Sequence, residues 1–249
     1  MKILQTIKYF FFIAINWSPR LAWFTIRHEI KGEKKYEIDS TGIGKVKGNK
    51  VTEKILSHAQ HYQGANYYLL EQMFDFLKVE ITSDNIIDFG SGKGRILAVA
   101  AHYGYKRITG IEISGELIKA ADKNLSSIRL KFPNSDISIL EMDAKEYVIP
   151  DDASLFFFFN PFDEKIMLEV VKNITTSLKK SEREMFVGYI NPVHKEVFLS
   201  AGFTEVFYLE KFQYIECCIL MYSPYTDEDL DNNSEDGQFD VEDDEDEED

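Results

Sequence analysis

Cysteine is nearly absent from this 249-residue chain, which has two, and they are adjacent. Cys217 and Cys218 lie in an apolar, strand-like run that sends neighbouring side chains to opposite faces. A disulfide framework is therefore excluded, and a reducing, cytoplasmic compartment fits best. Long apolar runs are missing too. The stretch from Tyr9 to Pro19 is uncharged but falls short of the roughly 20 residues a membrane span needs. It has the length of a signal-peptide apolar region, yet no Ala-x-Ala-type cleavage site follows and Arg20 interrupts it. Metal-ligand clusters are sparse. His58 and His61 are three apart with no second cluster at ligand spacing, so no metal is expected.

Net charge is missing from the body of the chain. The formal charge of −15 comes from the end, where fifteen Asp or Glu and no Lys or Arg fall between Asp227 and Asp249. The other 28 acids balance 28 Lys and Arg. A neutral body makes no general electrostatic case for nucleic acid. Residues 226–249 are too polar to bury and are expected to be disordered, either solvating the protein or drawing a basic partner by salt-sensitive attraction.

What is present divides into residues 1–57, a domain over 58–225 and the acidic tail. Residues 1–30 are rich in aromatics, including Tyr9, Phe10, Phe11, Phe12, Trp17, Trp23 and Phe24. Ile3, Ile7, Phe11, Ala14 and Ile15 share one helical face, and Ser18-Pro19 reads as an N-cap and first-turn proline opening a second helix. Two readings stand: helices packed on the domain, or a peripheral membrane contact through residues 1–30, since Trp, Phe and Lys are what interfacial helices use. Residues 31–57, with Lys31–Lys35 and the glycine-bearing Thr41–Lys50, suggest a surface loop or short hairpin. Tyr62, Gln63 and Asn66 precede a helix and are placed either to close over a ligand or to serve as an ordinary helix start.

The stretch from Asn85 to Ala101 organises the domain. Ile86, Ile87 and Phe89 form the apolar run of a buried parallel strand. Gly90, Ser91, Gly92, Lys93 and Gly94 make a turn, and the residues from Arg95 are helix formers. Such a turn aims free N–H groups and the positive helix end at one spot, with the acid Asp88 at its lip. Strands and helices then alternate, implying a Rossmann-like, doubly wound α/β sheet. The four-residue gap from Glu210 to Gln213 between the last two strands requires an antiparallel hairpin. Asp88, Glu112 and Asp143 each sit at the end of a successive strand, where ligands bind in open parallel sheets. The spacing Gly90-x-Gly92-x-Gly94 puts Arg95 where a dinucleotide fingerprint has its third glycine, and no Gly-Lys-Ser/Thr follows for a P-loop.

These residues resemble the class I S-adenosylmethionine-dependent methyltransferases, with a glycine loop similar to that of the non-SET protein-lysine methyltransferases. The resemblance covers about residues 58–222. It implies a seven-stranded, mostly parallel sheet with a C-terminal antiparallel hairpin, and S-adenosyl-L-methionine as cofactor. It further implies that Asp88 orients the methionine ammonium, that the backbone of Phe89, Gly90, Ser91, Gly92 and Gly94 faces the methionine and ribose, and that Glu112 binds the ribose hydroxyls. Asp143 would read the adenine amine beside the Ala144 N–H, with Ile113 flanking the adenosine. Asn160-Pro161-Phe162, after four consecutive phenylalanines, is similar to the Asn-Pro-Pro-Tyr motif of methyltransferases acting on nitrogen. Its second proline is missing here. The resemblance implies transfer to an amino nitrogen such as protein lysine, with a nucleic-acid base or small amine as other acceptors. A non-catalytic S-adenosylmethionine-binding interaction module is the competing reading.

Overall fold

The computed structural model describes residues 3–41, 43–44, 62–80, 84–159 and 161–225. Asn160, residues 45–61 with His58 and His61, and the acidic tail of residues 226–249 lie outside the described residues. Two helices open the chain, α1 (Ile3–Asn16) and α2 (Pro19–Tyr36). Ser18 caps α2 as expected, its Oγ accepting from Leu21 N–H at 3.1 Å, with Pro19 in the first turn. Lys31–Lys35 differ from expectation: they are helical and belong to α2. Gly32 is no helix breaker here, because it is a packing site against Tyr67. A Cβ on it would lie 2.2 Å from the Tyr67 ring.

A two-stranded antiparallel ribbon follows, β1 (Ile43–Gly44) with β2 (Tyr62–Gln63), then α3 (Tyr67–Glu80). The domain proper runs β3 (Asn85–Phe89), α4 (Arg95–His102), β4 (Arg107–Glu112), α5 (Gly115–Lys131) and β5 (Asp136–Glu141). It continues with β6 (Leu155–Phe159), α6 (Glu164–Lys180), β7 (Met185–Ile190), α7 (Lys195–Leu199), β8 (Thr204–Lys211) and β9 (Ile215–Tyr222). The seven-stranded sheet has the order β5-β4-β3-β6-β7-β9-β8. All neighbours pair parallel except β9, which is antiparallel to both β7 and β8. The winding reverses between β3 and β6, so a crevice opens beyond their carboxyl ends.

The phenylalanine run is a strand buried on both faces, as its composition predicts. Phe157 stacks on Phe74 of α3 at 4.9 Å, and Phe158 stacks on Phe89 at 5.1 Å in the opposite core layer. Each fully buried phenylalanine contributes about 2 kcal/mol of transfer free energy, which fixes β6 at the centre of the sheet. Cys217 and Cys218, both buried, point into the two different layers.

Candidate active site

Beyond Phe89 the chain turns through Gly90, Gly92 and Gly94, whose φ values of 77°, 54° and 78° lie where a Cβ is resisted. Gly90 and Ser91 N–H both donate to Ile111 O, at 2.8 and 3.1 Å, tying the loop to β4. Glu112, at the end of β4, ties it again. Its Oε2 accepts from Gly92 N–H at 2.9 Å, and its Oε1 from the N–H groups of Ile113 and Ser114, each at 2.9 Å. Three of its roughly four lone-pair positions are thus engaged by backbone. Glu112 fixes the loop whatever else it holds.

Asp88 is a buried register partner of Gly110. Burial, and then the neighbouring Glu112 charge, push its carboxyl well above the usual range. Burial raises Glu112 as well, but its three backbone N–H donors oppose the shift. Asp88 has no such opposing donor among the described residues. Nearby, the buried Ser91 hydroxyl has no hydrogen-bond partner among the described residues. It occupies the room left by Gly110, where a Cβ would lie 2.6 Å from Ser91 Oγ. Two buried carboxylates with no cation beside them among the described residues, and a buried hydroxyl without a partner there, fit a ligand bearing a positive charge and hydroxyl groups.

The other expected residues lie on several different elements. Asp143 begins the turn after β5; its Oδ1 accepts from Lys145 N–H at 3.0 Å and its Oδ2 lies 3.3 Å from Lys145 Nζ. Ala144 is buried and Ile113 half-buried. The Phe89 side chain stays in the core, leaving only its backbone at the loop. Pro161 packs onto the glycine loop: a Cβ on Gly90 would lie 2.5 Å from Pro161 Cβ. Phe162 is half-buried against the second core layer. Asp163 caps α6, its Oδ1 accepting from Ile166 N–H at 3.0 Å. Tyr62 and Gln63 form β2.

One group of residues went unnoticed in the sequence. Arg95, in the first turn of α4, is 4% exposed and pairs bidentately with Glu29 of α2, Nη1–Oε1 at 2.7 Å and Nη2–Oε2 at 2.8 Å. Its Nε donates to Ser40 Oγ at 2.8 Å, and its guanidinium lies 4.1 Å from the Tyr67 ring centroid. Glu33 Oε1 accepts from the N–H groups of Ser40 and Thr41 at 2.7 and 2.8 Å. Lys93 Nζ reaches Thr41 O at 3.2 Å, and Asn124 Nδ2 bridges Asp39 O and Lys93 O at 3.2 and 3.0 Å. The strap from Asp39 to Thr41 is therefore bolted to the glycine loop. The signal was legible: a lone arginine heading the apolar run Ile96–Ala101 must be buried, and a buried arginine needs an acid.

A methyltransferase-domain family profile matches residues 86–181, which span β3 through the end of α6. That stretch matches a methyltransferase domain, and the rest of the chain lies outside the match. Two solved structures show the same fold. One is a Pyrococcus horikoshii protein assigned as an RNA methyltransferase, 14% identical over 79% of this chain and 96% of that one, with a TM-score of 0.51. The other is the magnesium protoporphyrin IX methyltransferase of Synechocystis PCC 6803, 12% identical over 78% of this chain and 91% of that one, with a TM-score of 0.50. No curated relative matches the chain. The methyltransferase domain implies S-adenosyl-L-methionine as cofactor, and the cation-deficient Asp88–Glu112 pair fits such a ligand.

Proposed function

We infer that this methyltransferase acts on an amino nitrogen, with protein lysine the first acceptor class to test and a nucleic-acid base or small amine next. The supporting observation is the close approach of Pro161, the middle residue of the Asn-Pro-Phe motif, to Gly90 of the glycine loop. In this reading Asp88 takes the methionine ammonium. The backbone from Phe89 to Gly94 follows the methionine and ribose, and Glu112 offers its remaining lone pair to the ribose hydroxyls. Asp143 accepts from the adenine amine beside the Ala144 N–H, and Ile113 flanks the adenosine. S-adenosylmethionine bound there supplies a methyl group activated on a sulfonium.

The Asn160 side-chain oxygen and the Pro161 carbonyl accept from the target nitrogen and aim its lone pair, while Phe162 bounds the approach. An in-line displacement needs alignment and exclusion of water more than a strong base, and Asp163 is already committed to capping α6. Tyr62 and Gln63 are the candidate cover for the acceptor, and the acidic tail is the segment suited to a basic partner.

Asn160→Ala is expected to keep cofactor binding by calorimetry and to lose at least about a hundredfold in turnover, the scale of one positioning group. Unchanged turnover would return the corner to a plain strand-end turn. Labelling a lysate from a tritiated methyl donor, then digesting with protease or nuclease, identifies the acceptor. Label released only by nuclease would replace lysine with a nucleic-acid base.

A further inference from the structure

We propose that α1 and the outer face of α2 form a docking surface for the headgroup region of an anionic phospholipid bilayer. Along α1, Ile7, Phe11 and Ile15 recur every fourth residue on one stripe and are 48%, 57% and 80% exposed. Phe12 flanks them, in edge contact with Trp17 at the turn into α2, and Trp23 stands out from α2. The opposite side of α1 is already satisfied. Ile13 packs on Leu21 and Ala22, with Tyr9, Phe10 and Ala14 beside it and Phe212 and Ile215 of the last hairpin beneath. The exposed stripe therefore has no role in holding α1 to the domain.

Charge identifies the partner. Up to Tyr36 the chain has only two acids, Glu29 and Glu33, and both are buried against Arg95, Ser40 and Thr41. The exposed charges described there are Lys8, Arg20, Arg27, Lys31, Lys34 and Lys35, all basic; Lys35 is engaged by Glu71. In a chain of net charge −15, the exposed charges described on α1 and α2 are thus all basic, and exposed Phe, Trp and Ile stand among them. Aromatic and aliphatic side chains with Lys and Arg around them match the acyl boundary and the anionic headgroups of a bilayer surface. Among the described residues no helix is long and apolar enough to cross a membrane, so the contact lies in the interface plane.

The chain has two tryptophans, Trp17 and Trp23, and both are on this face. Their emission reports on the contact directly. The full-length protein is expected to co-sediment with vesicles containing phosphatidylglycerol and to bind phosphatidylcholine vesicles at least about tenfold more weakly. On the anionic vesicles its emission should shift to the blue and be quenched by brominated acyl chains, and salt should weaken the binding. The double variant Phe11→Glu/Ile15→Glu should lose sedimentation, and Arg20→Glu/Arg27→Glu should weaken it at least about tenfold. These side chains are exposed and apart from the cofactor loop, so calorimetric cofactor binding should be unchanged and serves as the folding control. Absence of co-sedimentation, equal binding by the variants, or tryptophans already shielded in a vesicle-free dimer would overturn the proposal. The last result would make the face a contact between two copies.

Discussion

Glu29 and Glu33 reach Arg95 at the far end of the glycine loop, whereas Asp88 and Glu112 sit at its base. Both pairs are buried carboxylates of one domain. The first pair faces a guanidinium, two backbone N–H groups and the hydroxyls of Ser40 and Thr41. The second faces three backbone N–H groups, all on Glu112, and no cation among the described residues. A buried charge without compensation is costly. The clamp therefore has one cation for its two acids, with Glu33 Oε2 left without a hydrogen-bond partner among the described residues, while the base of the loop has no cation among them. The pair that faces a cation holds the N-terminal strap in place, and the pair that faces none is the one proposed above to take the cofactor's ammonium and ribose.

The sharpest way to break the comparison is to remove the clamp's cation. Arg95→Met leaves Glu29 and Glu33 buried with neutral partners only, and is expected to cost about 3–5 kcal/mol in urea unfolding. Adding Glu29→Gln and Glu33→Gln should recover part of that loss, since the uncompensated charge is its main source. A loss below about 1 kcal/mol for Arg95→Met would show that the strap is not held by charge.

The opposite experiment relieves the base of the loop. Asp88 has a folded pKa raised above its unfolded value near 3.9. Its stabilising contribution is therefore fully present below that unfolded value and is lost as pH rises through the folded one. Asp88→Asn removes the loss, so the ligand-free variant should be about 1–2 kcal/mol more stable than the parent at pH 8, with little difference at low pH. Its affinity for S-adenosylhomocysteine, which carries the same ammonium, should fall at least about tenfold. Parent affinity should rise from pH 5 to pH 8 while the variant's stays flat. A variant that is more stable yet binds as tightly would dissociate the charge deficit from the cofactor.

How far the sequence reaches follows the same division. The mostly parallel sheet, the antiparallel hairpin that ends it and the strand-end acids were legible because periodicity, glycine spacing and one short connection each admit few solutions. Phe156 to Phe159 admit only a strand buried on both faces. Lys31–Lys35 misled because glycine and lysines look like a loop, and only the Tyr67 ring explains why Gly32 sits inside a helix. Arg95 was read as a departure from a dinucleotide fingerprint, although its partner lies 66 residues away in Glu29. Pairings at that separation leave no local trace. Glu112 had its ribose role implied by the resemblance, but its grip on Gly92, Ile113 and Ser114 N–H depends on the folded turn of β4 toward the loop.

Asp143 gives the finest test, because it belongs to neither pair. Its carboxylate caps its own turn through Lys145 N–H and pairs with a half-exposed Lys145 side chain. Removing such a cap costs about 1 kcal/mol or less when water can replace it. If a remaining lone pair accepts from the adenine amine, Asp143→Ala should weaken S-adenosylhomocysteine about ten- to a hundredfold, the scale of one hydrogen bond to a charged group. An analogue without the exocyclic amine should bind parent and variant alike, since the lost partner was never engaged. Equal weakening of both ligands would mean that Asp143 acts only by holding the turn. Urea unfolding separates that case, because a turn that has come loose shows a stability loss that a missing ligand contact does not.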